Sequence, residues 1–171
     1  MAQSWMQRMG ATVLAFRGYN LTNLGKTPEL LAHPAYGPVV ERHLQLAGTI
    51  CSEAIGRHID LVERVRSRRE SSLETFAEDI GLIIAAEMAQ LELLDQFFGT
   101  DYRGARFSMG YSLGEITALV AGGTFVVEQV LPPLVQLAGD CADLARDAAM
   151  GILFSRGPEI DPVAVQRLCI E

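Results

Sequence analysis

A chain of 171 residues, 49% hydrophobic and 20% charged, can bury a sizeable core, and this composition excludes the disordered and low-complexity classes. Its net charge of −7 excludes a general nucleic-acid binder, which needs a positive surface to displace counterions from phosphates. The longest uncharged apolar stretch, Ile116 to Val127, falls short of the roughly 18 residues a membrane span requires, so no membrane partner is expected.

Near the N-terminus, Ala11 to Phe16 is a short apolar run between Gly10 and Gly18 and predicts a buried strand. It is too short for the apolar region of a secretory signal, and a cytoplasmic location is the expectation. A Gly/Asn/Thr-rich loop follows to Thr27, then turn chemistry from His33-Pro34 to Gly37-Pro38. From Val39 to Ile55 the apolar residues Val40, Leu44, Ala47 and Ala54 keep helical spacing up to Gly56. Arg57, Arg64, Arg66, Arg68 and Arg69 crowd into the next segment, and such a charge run predicts a solvated helix face followed by a loop at Ser71 and Ser72.

From Thr75 to Phe98 a period near 3.6 runs through Phe76, Ile80, Ile83, Ile84, Met88, Leu91 and Leu94, and Gly99 ends this long helix. Arg106 to Met109 predicts a strand, Gly110 to Gly114 a tight turn, and Glu115 to Ala121 a helix stopped by Gly122-Gly123. Phe125 to Asp147 is helical, with a kink or restart at Pro132-Pro133, where neither residue can donate a helical hydrogen bond. Met150 to Phe154 predicts a strand, and a helix then begins with Asp161 as N-cap and Pro162 in its first position. No internal repeat or linker divides the chain. The three cysteines, Cys51, Cys141 and Cys169, form no C-x-x-C pair, so they predict neither a disulfide framework nor a metal site and are expected as buried or half-buried thiols.

Chemistry concentrates at Gly110-Tyr111-Ser112-Leu113-Gly114, a G-x-S-x-G pattern set between a predicted strand and a predicted helix. A serine on so sharp a turn has its hydroxyl lifted above the sheet, and side chains at the flanking glycine positions would clash. The helix behind it presents free N–H groups, including that of Leu113, where an oxyanion would form. The pattern points to acyl transfer with Ser112 as nucleophile.

The match extends through Glu115-Ile116-Thr117-Ala118-Leu119-Val120-Ala121-Gly122-Gly123, and the whole run resembles the G-H-S-L-G-E-x-x-A-L-x-x-A-G signature of the malonyl-CoA:acyl-carrier-protein transacylase family. That family includes the acyltransferase domains of polyketide and fatty-acid synthases. Phe16-Arg17-Gly18, the long helix before the turn, and Ala149-Met150-Gly151-Ile152-Leu153 extend the resemblance over most of the chain. It implies an α/β fold, with a hydrolase-like large subdomain over residues 1–147 and the start of a ferredoxin-like small subdomain over 148–171. It implies a serine acyl-enzyme formed from acyl-CoA, which is a substrate rather than a cofactor, and resolved by the thiol of an acyl carrier protein. Backbone N–H groups of Leu113 and Tyr19 would form the oxyanion site. Tyr19 stands where the family carries glutamine, Glu78 where it carries a second glutamine, Tyr111 where it carries histidine before the serine, and Ala138 where it carries a malonyl-binding arginine. Glu78 would oppose an oxyanion unless protonated or turned away. Tyr111 and Arg146 are the candidate substrate contacts, with Arg146 a substitute cation.

A serine needs a base. His33, His43 and His58 all precede Ser112 and read as surface residues, and the resemblance places the family's histidine beyond Glu171. The expectation is therefore an N-terminal half that self-associates or depends on a complementary chain. Two alternatives remain: a serine hydrolase that passes the acyl group to water, and an inactive homologue kept as a docking piece.

Overall fold

The two predicted strands find each other. In the computed structural model, which describes residues 8–20, 22–147, 153 and 155–170, β1 (Val13–Phe16) and β2 (Phe107–Gly110) pair in parallel, with Val13 opposite Phe107 and Phe16 opposite Gly110. Successive strand residues face opposite sides. Leu14 and Phe16 turn inward onto a small cluster with Leu91, Tyr102 and Ala121, whereas Val13, Phe107 and Met109 face solvent.

A parallel pair requires a crossover, and here it carries four helices: α1 (Thr27–Ala32), α2 (Gly37–Ile55), α3 (Leu61–Arg66) and α4 (Phe76–Phe98). Pro38 in the first turn starts α2, and Gly56, at φ 65°, ends it in the left-handed conformation that an L side chain resists. Asp60 caps α3 by accepting from the Glu63 N–H at 2.8 Å. The main core lies where α2, α4 and α6 (Val127–Gln136) meet, around Val40, Leu44, Leu82, Ile84, Leu131 and Val135. On its other side α4 supports α5 (Leu113–Ala121), the helix that leaves the serine turn. Enclosed on both sides, α4 is buried at every position from Glu78 to Glu87. Its partner α2 comes so close that a Cβ on Gly81 would lie 2.6 Å from the Cys51 Sγ.

The chain is thus α/β and mostly helical, with a small two-stranded parallel sheet. Several expectations need correction. The arginine run is not simply a solvated face, because Arg64 is buried, inserted among Glu78, Asp79 and Thr75. The prolines do not break the helix where they stand. Pro132 and Pro133 lie inside α6, and the break comes at Leu137, before α7 (Ala138–Arg146). Cys51 is buried, and burial pushes its thiol up to about 12, but Cys141 and Cys169 are exposed. The long helix at Thr75 to Phe98 is buried throughout its middle, whereas its last turn leaves Leu94, Phe97 and Phe98 exposed. Apart from an exposed Leu153, the predicted strand at 150–154 lies outside the described residues. Helix α8 (Pro162–Ile170) starts as expected, with the Asp161 carboxylate accepting from the Val163 N–H at 2.9 Å. Among the described residues, no helix is long and apolar enough to cross a membrane, and no group of His, Cys, Asp or Glu could hold a metal.

Candidate active site

Ser112 sits between the last residue pair of the sheet and the first turn of α5, with φ 54° and ψ −119°. A positive φ is a sparsely populated region for a side-chain-bearing residue, held only where its surroundings impose it. Three hydrogen bonds impose it here. The Tyr111 N–H donates to the Phe16 carbonyl at 3.1 Å, the Gly114 N–H to the Tyr111 carbonyl at 3.0 Å, and the Glu115 N–H to the Ser112 carbonyl at 3.0 Å. The chain folds back so tightly that a Cβ on Gly110 would collide with the backbone of Gly114 and Glu115, and one on Gly114 with the Phe16 carbonyl. Both glycines of the pattern are sterically required.

The loop leaving β1 meets this turn from the other strand. A Cβ on Gly18 would lie 2.7 Å from the Tyr111 carbonyl oxygen and 3.1 Å from the Ser112 Cβ. Tyr19, the candidate second donor, follows directly, its ring edge-on to Phe76 at 5.0 Å. Burial, and then the nearby Asp79 carboxylate, raise the Tyr19 phenol above its ordinary value, so it stays protonated. The first N–H groups of a helix lack intrahelical partners and carry the positive end of its dipole. The Leu113 N–H therefore opens toward the exposed Ser112.

Behind the turn, Glu87 joins the two chain segments that form it. One carboxylate oxygen accepts from the Arg17 N–H at 2.9 Å and the other from the Thr117 hydroxyl of α5 at 2.6 Å. Burial raises its pKa, against the pull of these two donors. Sequence reasoning missed Glu87 because its partners lie 70 and 30 positions away.

The remaining candidates separate. Glu78 is met by Arg57 at 3.4 Å, Arg64 at 3.2 Å and Arg69 at 3.1 Å, so its charge is compensated by three guanidinium groups. From the start of α4 it is Phe76, two residues earlier, that reaches the Tyr19 loop. Tyr111 is exposed beside Ser112, with its ring against Gly18. Ala138 is buried at the start of α7. Arg146 is exposed and pairs with Asp143 at 3.4 Å. It is also close enough to Glu74 to reinforce the depression of that carboxyl's pKa, which the Ser72 hydroxyl and the backbone chiefly cause.

None of the three histidines contacts Ser112. His33 accepts the Ala35 N–H at 3.2 Å and stacks on Tyr36, His43 pairs with Glu92 at 2.7 Å, and His58 lines a cleft between α2 and α3. Nor does a cleft of about 670 Å³ include the serine among its lining residues. It lies between the start of β2 and the far end of α5, lined by Phe107, Val120, Phe125 and Val126. The chemistry available at Ser112 is that of an exposed hydroxyl on a strained turn, next to a helix N-terminus and a second loop. No protein-family model, curated protein or solved structure matches the chain.

Proposed function

We propose that the chain is the nucleophile-bearing part of an acyltransferase of the malonyl transacylase type, with Ser112 taking an acyl group from coenzyme A and passing it to the thiol of an acyl carrier protein. The hydrolase-like large subdomain over 1–147 and a small subdomain opening at 148 belong to the same proposal. The observation that carries it is the Ser112 backbone, at φ 54° between two glycines that admit no side chain. Strain of this kind has no structural benefit of its own, and it lifts a hydroxyl clear of the sheet beside unpaired N–H groups.

In the reaction, the Ser112 Oγ attacks the thioester carbonyl while a base takes its proton. The carbonyl oxygen, now negative, is met by the Leu113 N–H and a donor from the Gly18–Tyr19 loop. The C–S bond then breaks, coenzyme A leaves as the thiol, and the carrier thiol repeats the sequence in reverse. The base is a group other than the chain's three histidines, in the role that the family pattern gives to a histidine. The acyl group is neutral or has its charge met by another cation such as Arg146, because Ala138 offers no guanidinium where the resemblance would put one and a malonyl carboxylate would otherwise be left unpaired. An inactive docking role draws on the three histidines lying elsewhere, but it leaves the retained strain unexplained.

A serine-directed phosphonylating probe such as an alkyl fluorophosphonate, whose phosphorus takes the serine oxygen as fluoride leaves, tests the assignment. Peptide mass spectrometry is expected to find the label on Ser112, faster with added imidazole, and to find none in Ser112→Ala. A label elsewhere, or equal labelling of the variant, contradicts the reading. Rapid loss of an acyl group to water would favour a hydrolase.

A further inference from the structure

The described residues between Arg17 and Leu24 have no regular structure, yet among them Asn23 is fully buried and bonded on every side. Its side-chain oxygen accepts from the Asn20 N–H at 3.0 Å and from the Arg17 guanidinium at 3.4 Å. Its amide nitrogen donates to the Asn20 carbonyl at 2.5 Å and to the Ser71 hydroxyl at 2.7 Å. Its own N–H donates to Glu70 at 3.1 Å, and its carbonyl accepts a second Arg17 nitrogen at 2.5 Å. Ser71 passes the connection inward, donating to Asp79 at 2.7 Å. Asp79 also accepts from Thr75 at 3.2 Å and from Arg64, and the side chains of this Arg64–Asp79 pair have no solvent exposure at all.

A buried ion pair is a weak source of net stability, since an apolar pair of similar volume often serves as well, and fixing a particular arrangement is its better-attested use. The arrangement fixed here is the stretch that brings Gly18 against the Tyr111 carbonyl and Ser112. We propose that Asn23, Ser71, Asp79 and Arg64 are positioning residues for acylation of Ser112. The pair anchored on α3 and α4 holds Ser71, Ser71 holds Asn23, and Asn23 holds the Gly18–Tyr19 backbone against the Ser112 turn, on which the Leu113 N–H also lies. The inference rests on the acyl-enzyme reading. It adds residues that touch neither substrate nor the reacting atoms.

Ser71→Ala cuts the connection while leaving both ends in place, and Ser71→Thr restores the hydroxyl. Two readouts apply to the full chain: the saturating rate of Ser112 labelling by the fluorophosphonate, separated from the probe concentration at half-saturation, and amide hydrogen exchange. Since a small misplacement of a positioned group costs up to about 100-fold, Ser71→Ala is expected to slow the saturating rate at least about tenfold with half-saturation unchanged. Exchange at residues 17–24 should quicken while α2 and α4 stay protected, and Ser71→Thr should recover both. Ile50→Val, in the distant core of α2, weakens the fold without touching the loop and should label at the native rate. The proposal is overturned if Ser71→Ala labels at the native rate with the loop still protected, or if Ile50→Val slows labelling as much. Those results leave the acyl-enzyme reading standing. A native chain that takes no label on Ser112 removes that reading and this role together.

Discussion

At the scale of the residue, the serine turn sets stability against chemistry. Holding a non-glycine residue at φ 54° costs on the order of 1–3 kcal/mol, and glycine visits that region without penalty. Ser112→Gly should therefore be more stable than Ser112→Ala by about 1 kcal/mol in urea unfolding, although both lack the hydroxyl. Equal stabilities would mean that the turn stores no strain. The glycines around Ser112 were legible because the steric demand of a strand-to-helix turn is local and leaves a local pattern. Asn23 was not, because its partners Glu70 and Ser71 lie 47 and 48 positions away and an asparagine in a Gly/Asn/Thr-rich loop looks like ordinary turn chemistry. Arg64 was hidden for a related reason. Among five neighbouring arginines, nothing local tells which one meets a carboxylate 15 residues on.

At the scale of the element, α4 organises everything that touches the turn, and its closeness to α2 depends on Gly81. Adding a methyl there would force the Cys51 sulfur, 2.6 Å from the new Cβ, to move within a packed core. Overpacking of this kind costs about 1–3 kcal/mol. Gly81→Ala should lose that much stability, and less when introduced into Cys51→Ala, where the sulfur is gone. Additive losses in the double variant would show that the two residues are not in contact. The length and end of α4 were readable from apolar spacing and Gly99. Its all-round burial was not, since spacing reports which face is apolar and not how many neighbours close over it. The same limit explains α1, whose six residues are too few to show a period. The proline pair marks where donors are lost, which did not coincide with where the helix ends.

At the scale of the whole molecule, the sheet is the incomplete part. Parallel sheets ordinarily have both faces covered, and two strands alone are marginal in water. Here the outer face shows Val13, Phe107 and Met109 to solvent, each at least half exposed. This account expects that face to be closed by a second copy when the chain is alone, so light scattering on the purified chain should give more than the monomer mass. Phe107→Thr with Met109→Thr should reduce it. A native chain that stays monomeric would contradict the expectation. One apolar strand and a second of mixed polarity were visible in the sequence. That they would be neighbours was not, because no local signal links positions so far apart.

The central claim is that Ser112 accepts an acyl group from a thioester. Its most direct measurement is the intact mass of the folded chain after incubation with acetyl-CoA in the presence of imidazole, followed by peptide mapping. The account predicts one acetyl group on Ser112, absent from Ser112→Ala and from a chain unfolded before the incubation, and transferable to a carrier-protein thiol. An unmodified chain, or acetyl groups scattered over other nucleophiles and indifferent to unfolding, would contradict it.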